Sequence, residues 1–270
     1  MKIGINRWTF PNDWSIEKCF QVAAEAGFDT IEINAADEGY LTMESTEKEV
    51  RGLVKLAQAA GIEISSLSSG LGWKYPLTSN DEDIRARGIA NTAQALQIAK
   101  WLEVDTILLV PGVVSSEVPY DQAYYRTQEA LKELAPIAEE YQVSIGVENV
   151  WNKFLLSPLE FARYLDEIDS PYVGAYFDIG NVLVIGYPDQ WIRILGKRIR
   201  KIHVKDFKAN IGNISAFCNP LQGDVPWEKT RIELEAIGYD GPITAEVDGY
   251  RIHPEIGARH IAESLRAVYK

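Results

Sequence analysis

Cysteine is scarce in this chain of 270 residues, which contains only Cys19 and Cys218. The two thiols form neither a CxxC motif nor a spacing typical of metal ligands. The cysteine content fits a reducing compartment, and we expect a cytoplasmic protein.

Basic residues are also in the minority, because 27 Lys and Arg stand against 39 Asp and Glu, for a net charge of −12. Nucleic acids and membrane surfaces attract basic faces, so we expect neither as a partner. The acid excess by itself indicates solubility. The sequence has no apolar run long enough to span a membrane. It enters a strand directly after Met1, so no secretory signal is expected.

Linkers and low-complexity stretches are absent as well, with glycine and proline scattered along the chain. The apolar content of 46% is ample for a core. We therefore expect one domain, residues 1–270.

An amphipathic helix followed by a short β-rich run recurs along the sequence. Helix 1 is predicted to end at Gly27, and helix 2 to begin at a capping box formed by Thr46 and Glu49. Helix 5 is predicted to begin at Ser157, followed by Pro158. Strictly alternating strands and helices fit a doubly wound sheet or a closed barrel. Eight repeats in about 250 residues favour a single (β/α)8 TIM barrel.

In such a barrel the chemistry lies at the C-terminal ends of the strands. These ends carry Glu148 on strand 5, Asp178 on strand 6, His203 on strand 7 and Glu246 on strand 8. On strands 5, 6 and 8 the carboxylate alternates with apolar residues that should face the helices. The four side chains are therefore predicted to point towards the barrel axis at the same height.

Three carboxylates inside a barrel are costly unless they are paired or coordinated. Three carboxylates and one imidazole predict a site for one divalent metal ion, with Mn²⁺ or Mg²⁺ favoured over Zn²⁺ or Co²⁺. The alternative is an internal salt-bridge network with Lys201 and Lys205. Lys201 shares a face with His203 and needs a partner, for which Glu32 is the candidate.

Further residues are candidates for contacts with a substrate. Trp8, Trp73 and Trp151 follow strand ends, where they fit either an apolar wall or ordinary loop packing. Lys205 is placed to reach a phosphate group or the neighbouring carboxylates. The long loop from Lys208 to Val225 is a candidate lid.

Polar residues at other strand ends are candidates for contacts with substrate hydroxyl groups. These are Asn6, Glu32 and Ser68, with Asn181 just after strand 6. His253 and His260 belong to helix 8 and are expected to lie away from the site.

Six segments resemble a known family when they are taken together and in order. They are GFDTIEI, YPLTSNDEDIRARG, GVENVWNKFLLSP, FDIGN, HVKD and GPITAEVD. The sequence resembles the xylose isomerase-like barrels, and among them the L-xylulose 5-phosphate 3-epimerase and D-tagatose 3-epimerase branches. The resemblance implies metal ligands at Glu148, Asp178, His203 and Glu246. It also implies that Glu148 and Glu246 act as the acid/base pair.

The chain departs from this family pattern at two places. Trp73 and Lys74 stand where the xylulose-phosphate epimerases have adjacent arginines, and Asn181 stands where some epimerases have histidine. The particular sugar, its phosphorylation and the oligomeric state, with a homo-oligomer among the options, are therefore left open. The related DNA-repair endonucleases use a histidine-rich three-zinc cluster, which three histidines cannot form.

The sequence thus predicts an enzyme that acts on a small sugar or sugar phosphate. We expect an isomerase or epimerase that moves a proton beside a ketose carbonyl through an enediolate, which a chelated metal ion stabilises. An inosose-type dehydratase on the same barrel is one alternative. A non-catalytic sugar-binding barrel is the other, and the presence of four ligands and two bases disfavours it.

Overall fold

The architecture seen in the structure, a computed structural model that describes residues 1–269, is a closed barrel of eight parallel strands. Each strand pairs with the next along the chain, and the last pairs with the first. The predicted TIM barrel is therefore confirmed. The barrel strands are β1 (Ile3–Asn6), β2 (Thr30–Ala35), β3 (Glu63–Ser69), β4 (Thr106–Leu109), β5 (Ser144–Glu148), β6 (Val173–Asp178), β7 (Ile199–Val204) and β8 (Ile243–Ala245).

Within the described residues, eight helices surround the barrel. They are α1 (Ile16–Ala26), α2 (Glu47–Ala60), α3 (Glu82–Leu102), α4 (Tyr120–Tyr141), α5 (Pro158–Asp166), α6 (Pro188–Leu195), α7 (Trp227–Ala236) and α8 (Pro254–Val268). Shorter elements lie in the connections. They are helices at Leu71–Lys74 and Ile179–Val182, 3₁₀ turns at Arg7–Thr9, Gly196–Arg198 and Ile214–Ala216, and an antiparallel ribbon that pairs Asp206–Phe207 with Phe217–Cys218.

The local signals in the sequence place the helix ends. Gly27 ends α1 with φ of 95°, a conformation that glycine adopts without steric cost. The Thr46 side chain accepts from the backbone of Glu49, whose carboxylate accepts in turn from the backbone of Thr46, and this capping box begins α2.

Within residues 1–269, no helix combines the length and apolar character that crossing a membrane requires.

The main core lies between the strands and the helices, where the outward residues of the strands, such as Ile145 and Val147, are fully buried. A smaller apolar cluster of Leu108, Val110 and Tyr176 is separate from it. A Cβ at Gly146 would lie 2.9 Å from the ring of Tyr176, so glycine makes room for this large side chain on the neighbouring strand.

The predicted pairing of Lys201 with Glu32 is wrong. The Lys201 ammonium lies 2.8 Å from Asp105, the residue before β4, and therefore at the N-terminal end of the barrel. Glu32 pairs with His203 instead. The lysine side chain is long enough to reach the water-exposed end of the barrel, where its charge is better solvated.

Candidate metal centre and active site

Four side chains that the sequence places at strand ends converge in the structure. Glu148, Asp178 and His203 lie on β5, β6 and β7, and Glu246 is the residue after β8. Asp178 and His203 are direct partners in the register of β6 and β7. One potential ligand atom from each of the four lies within 4.8 Å of the others. This spacing lets a single cation contact all four.

The two ring nitrogens of His203 have different surroundings. Nε2 lies 2.8 Å from the carboxylate of Glu32. Nδ1 is buried without a hydrogen-bond partner among the described residues, 3.9 Å from Glu148 and 3.7 Å from Glu246. A buried imidazole nitrogen that faces carboxylates but bonds to none is the arrangement expected of a metal ligand whose other nitrogen is held by a carboxylate. The residues present therefore fit a divalent metal ion.

A fully buried network holds Glu32 in place. Its carboxylate accepts hydrogen bonds from Asn6, from the hydroxyl of Ser66 at 2.7 Å, and from the hydroxyl of Tyr176. Burial alone would raise the pKa of Glu32, but His203 and the hydroxyl groups of Tyr176 and Ser66 outweigh it and lower the pKa. The carboxylate is thus held ionised against the imidazole, which fixes the orientation of the ring.

Asp178 is positioned by contacts on both sides of the strand end. One of its oxygens accepts from the backbone of Asn181 at 2.8 Å and caps the short helix Ile179–Val182. The Asn149 side chain bonds to both backbone polar groups of Asp178. The second carboxylate oxygen remains directed at Lys205, 2.7 Å from its Nζ.

Lys205 lies among the candidate ligands. Its ammonium is 2.7 Å from Asp178 and 2.6 Å from Glu246. A Cβ at Gly180 would lie 2.5 Å from the Lys205 side chain, so glycine permits this close approach. The salt-bridge network considered as an alternative from the sequence therefore exists with Lys205 and without Lys201. One ammonium, however, leaves three carboxylates with surplus negative charge, which a divalent cation would neutralise.

The electrostatic surroundings of the two glutamates differ. Burial raises the pKa of Glu148, and the nearby charge of Glu246 adds to the rise. Burial would also raise the pKa of Glu246, but the Lys205 ammonium and His203 outweigh it and hold that pKa below its usual range. The two carboxyl groups therefore differ in their readiness to carry a proton.

A cleft of about 780 Å³ opens directly above this cluster. Glu148, Lys205 and Glu246 form part of its lining, while Asp178 and His203 are fully buried at the cluster. The remaining lining residues are Trp8, Ser69, Trp73, Leu108, Val110, Val150, Trp151, Asn181, Ile214, Ser215, Phe217, Cys218, Asn219, Gln222, Val247 and Asp248.

Comparison with known proteins places the chain in a family. The family model described as "Xylose isomerase-like TIM barrel" matches residues 20–268. The chain belongs to the xylose isomerase-like TIM barrel family.

Several relatives of this family are similar to the chain over most of its length. The L-ribulose-5-phosphate 3-epimerase UlaE of Salmonella heidelberg (strain SL476) is 25% identical over 248 residues, which are 91% of this chain and 86% of that protein. UlaE of Escherichia coli O157:H7 (strain EC4115 / EHEC) is 26% identical over 84% of this chain and 80% of that protein. The prediction of an isomerase-class enzyme is confirmed by these relatives, which are epimerases.

Solved structures of epimerases share the fold. D-psicose 3-epimerase from Clostridium cellulolyticum H10, solved with D-tagatose, superimposes with a TM-score of 0.85 at 20% identity. The match covers 100% of both chains. At this identity the likeness concerns the fold alone.

Within this family barrel, the predicted substrate-binding residues fall into two groups. Trp8, Trp151, Asn181 and Lys205 line the cleft. The others are buried and do not line the cleft. Asn6 and Glu32 belong to the network beside His203, and Ser68 accepts a hydrogen bond from the side chain of Asn34. Contact of Asn6, Glu32 and Ser68 with a substrate stays a prediction.

The three tryptophans all line the cleft, and Trp8 and Trp73 are 44% and 46% exposed there. Their role as an apolar wall for a sugar stays a prediction. Trp151 also packs on the predicted lid, with its ring 5.0 Å from that of Phe217.

The other two histidines lie away from the site, as expected. His260 lies on α8 next to Tyr250, and His253 caps that helix, so neither is part of the cluster of four candidate ligands.

The loop predicted as a lid is attached at its base by Asp206, a residue that the sequence reasoning did not single out. Its buried carboxylate accepts from the backbone of Phe207 and Val225, at 2.8 and 3.0 Å, and from the Trp227 indole at 3.0 Å. Six loop residues between Ile214 and Gln222 line the cleft. The position of Asp206 in the HVKD segment was the available signal. Motion of the loop stays a prediction.

Three further residues of the site went unnoticed in the sequence. Tyr176 lies two residues before Asp178 on the same face of β6, so strand periodicity would have found it. Asn149 directly follows Glu148 with the opposite parity and lies beyond the end of β5, so periodicity does not find it. Asp248, two residues after Glu246, lines the cleft. It lies beyond the end of β8, where periodicity gives no direction.

Proposed function

We propose that this protein is a ketose 3-epimerase that depends on one divalent metal ion, held by Glu148, Asp178, His203 and Glu246. The observation that carries the proposal is the convergence of four ligand atoms within 4.8 Å beneath an open cleft, with one imidazole nitrogen that has no hydrogen-bond partner in the described part of the chain. The mostly oxygen-donor set favours Mn²⁺ or Mg²⁺.

The chemistry requires removal of a weakly acidic proton from the carbon beside a ketose carbonyl. When bound, a divalent cation would supply positive charge near the carbonyl oxygen and so make that proton more acidic. Glu148 and Glu246 come from β5 and from the end of β8, with β6 and β7 between them. Carboxylates so separated are suited to opposite faces of a sugar in the cleft.

The two glutamates act as base and acid in turn. One ionised carboxylate takes the proton from carbon 3, leaving an enediolate, and the other, protonated, gives a proton to the opposite face. Carbon 3 is inverted, and the proton has moved from one glutamate to the other.

The surrounding residues position these groups. Glu32 holds the His203 ring. Asn181 lines the cleft with its amide nitrogen bonded to the backbone of Asn149, so its amide oxygen is the group that would accept from a sugar hydroxyl. The tryptophans at the mouth offer apolar faces for the C–H side of the sugar and limit the access of water. The similar relatives are epimerases of ribulose 5-phosphate, which supports epimerisation over the loss of water.

The test is a panel of ketoses and ketose phosphates incubated with the Mn²⁺-loaded protein and followed by NMR. We expect conversion to the carbon-3 epimer with conservation of mass. Loss of water from the substrate would indicate a dehydratase. Binding without conversion would indicate a sugar-binding barrel. Metal content is measured in parallel, and a protein that binds no divalent ion would contradict the proposed centre.

A further inference from the structure

The charge of the cleft distinguishes between two classes of sugar. Among the described residues, Lys205 is the only cationic side chain that lines the cleft, and its ammonium is already paired with Asp178 and Glu246. Glu148, Glu246 and Asp248 line the same cleft. A phosphate dianion entering the cleft would meet three carboxylates and no free cation.

A second basic residue near this wall is also engaged. Lys74 follows Trp73, but it is not among the lining residues, and its ammonium lies 2.8 Å from Asp37. Even with a divalent cation at the centre, the carboxylates of Glu148, Asp178, Glu246 and Asp248 would outnumber the positive charges by one. Proteins that bind phosphate usually present Arg, Lys or helix N-termini to it.

The rest of the lining suits a neutral polyol. Three tryptophans and Phe217 provide aromatic faces, while Asn181, Asn219 and Gln222 carry neutral amides that both donate and accept hydrogen bonds. A cleft with apolar walls and a few polar groups is typical of small uncharged ligands.

We infer that the substrate is an unphosphorylated ketose, and that the acidic lining discriminates against the phosphate ester of the same sugar. The inference rests on the proposed epimerase function. It separates this chain from the similar relatives, which are named for ribulose 5-phosphate. Asp248 is the specificity residue, because it lies in the cleft outside the four candidate ligands.

The experiment compares L-ribulose with L-ribulose 5-phosphate, and a free ketohexose with its phosphate, on the Mn²⁺-loaded protein. Epimerisation is followed by NMR and binding by calorimetry. We expect kcat/KM for the free sugar to exceed that for its phosphate by at least about tenfold, since unfavourable like-charge contacts exclude the ester. An equal or higher value for the phosphate would overturn the inference.

Two variants test the role of Asp248 in substrate specificity. Asp248→Asn is expected to narrow the preference for the free sugar, and Asp248→Lys to narrow it further or reverse it. Asp240→Asn is the matched control, because this exposed acid precedes β8 at the opposite end of the barrel, outside the cleft lining, and should leave the ratio unchanged. An unchanged ratio in both Asp248 variants would contradict the role of Asp248.

Failure of the proposed function gives a different result. If no member of either pair is epimerised, the epimerase proposal is wrong, and calorimetry still decides the inference. Tighter binding of the free sugar would then support the inference, and tighter binding of the phosphate would overturn it. Binding of neither compound would contradict both proposals.

Discussion

Two lysines, four residues apart on and just after β7, form ion pairs at opposite ends of the barrel, and their side chains are only 8% and 11% exposed. Lys201 pairs at the N-terminal end with Asp105, whose side chain is 74% exposed. Lys205 lies at the C-terminal end between Asp178 and Glu246, whose side chains are 0% and 21% exposed. Lys201 therefore contacts one solvated carboxylate, whereas Lys205 lies among carboxylates that are mostly buried.

The difference separates a structural ion pair from a functional centre. At the N-terminal end the charges balance, and water stabilises the exposed partner. At the C-terminal end the carboxylates outnumber the lysine, and a neighbouring imidazole nitrogen has no partner within residues 1–269. An excess of negative charge in a buried site is costly, so it is retained only where a bound cation or the chemistry of the site requires it. Five substitutions, with their controls, test this comparison, from the largest expected effect to the smallest.

The largest expected effect is the loss of epimerisation in Glu148→Gln and Glu246→Gln. Each keeps the shape of the side chain and a weak oxygen ligand but removes a base, so epimerisation should fall by about 10² to 10⁴. In D₂O, the surviving base of each variant should introduce deuterium from one face only, and the two variants should label opposite epimers. Turnover and labelling are measured by NMR.

Glu228→Gln is the matched control, because this glutamate is exposed on α7 and should behave as the wild type. Labelling of the same epimer by both active-site variants would refute the assignment of two bases. Near-full turnover in either variant would do the same.

Glu32→Gln should have the next largest effect. Loss of the negative charge beside Nε2 weakens both the orientation and the basicity of His203, and substitutions of this kind typically lower metal affinity by about 10 to 100-fold. Mn²⁺ binding is measured by calorimetry, with circular dichroism as the check on folding. Tyr176→Phe, which removes one donor to Glu32 and keeps its charge, should cost less. Equal losses in the two variants would show that the charge of Glu32 is not the cause.

The role of Glu32 also shows what the sequence does and does not predict. The eight-fold alternation and the polar residues at the ends of β5 to β8 are local signals, and they predicted both the barrel and the convergence of Glu148, Asp178, His203 and Glu246. The contact of Glu32 with His203 joins β2 to β7 across 171 residues. Strand periodicity predicts that both point inward, but it does not choose between His203 and Lys201 as the partner.

Long side chains limit the prediction further. The side chains of Lys201 and Lys205 are long enough to form ion pairs towards either end of the barrel. Their partners therefore depend on how the closed barrel packs. The short elements in the connections, such as the ribbon that begins at Asp206, depend on contacts between distant residues as well. Length and composition predicted only a loop there.

Lys205→Met should raise the affinity for the metal ion but lower the stability of the metal-free protein. Removing the ammonium frees oxygens of Asp178 and Glu246 and removes a nearby positive charge, so Mn²⁺ affinity should rise on the order of tenfold. The metal-free protein should lose about 3 kcal/mol or more of stability, because buried carboxylates lose their partner. Calorimetry with Mn²⁺ and denaturation in EDTA measure the two effects. A fall in metal affinity would mean that Lys205 supports the ligands instead of competing with the cation.

Lys201→Met should have the smallest effect, and it is the matched partner of the previous variant. Its carboxylate, Asp105, is mostly exposed and remains solvated when the lysine is lost, so the stability should change by about 1 kcal/mol or less. The methionine side chain fills most of the same apolar path along β7. Mn²⁺ affinity should stay at the wild-type value, because the N-terminal ion pair lies at the other end of the strand from His203. The same denaturation and calorimetry experiments apply. A shift in Mn²⁺ affinity as large as that of Lys205→Met would mean that the two ends of the barrel are electrostatically coupled, and the contrast between a structural and a functional lysine would fail.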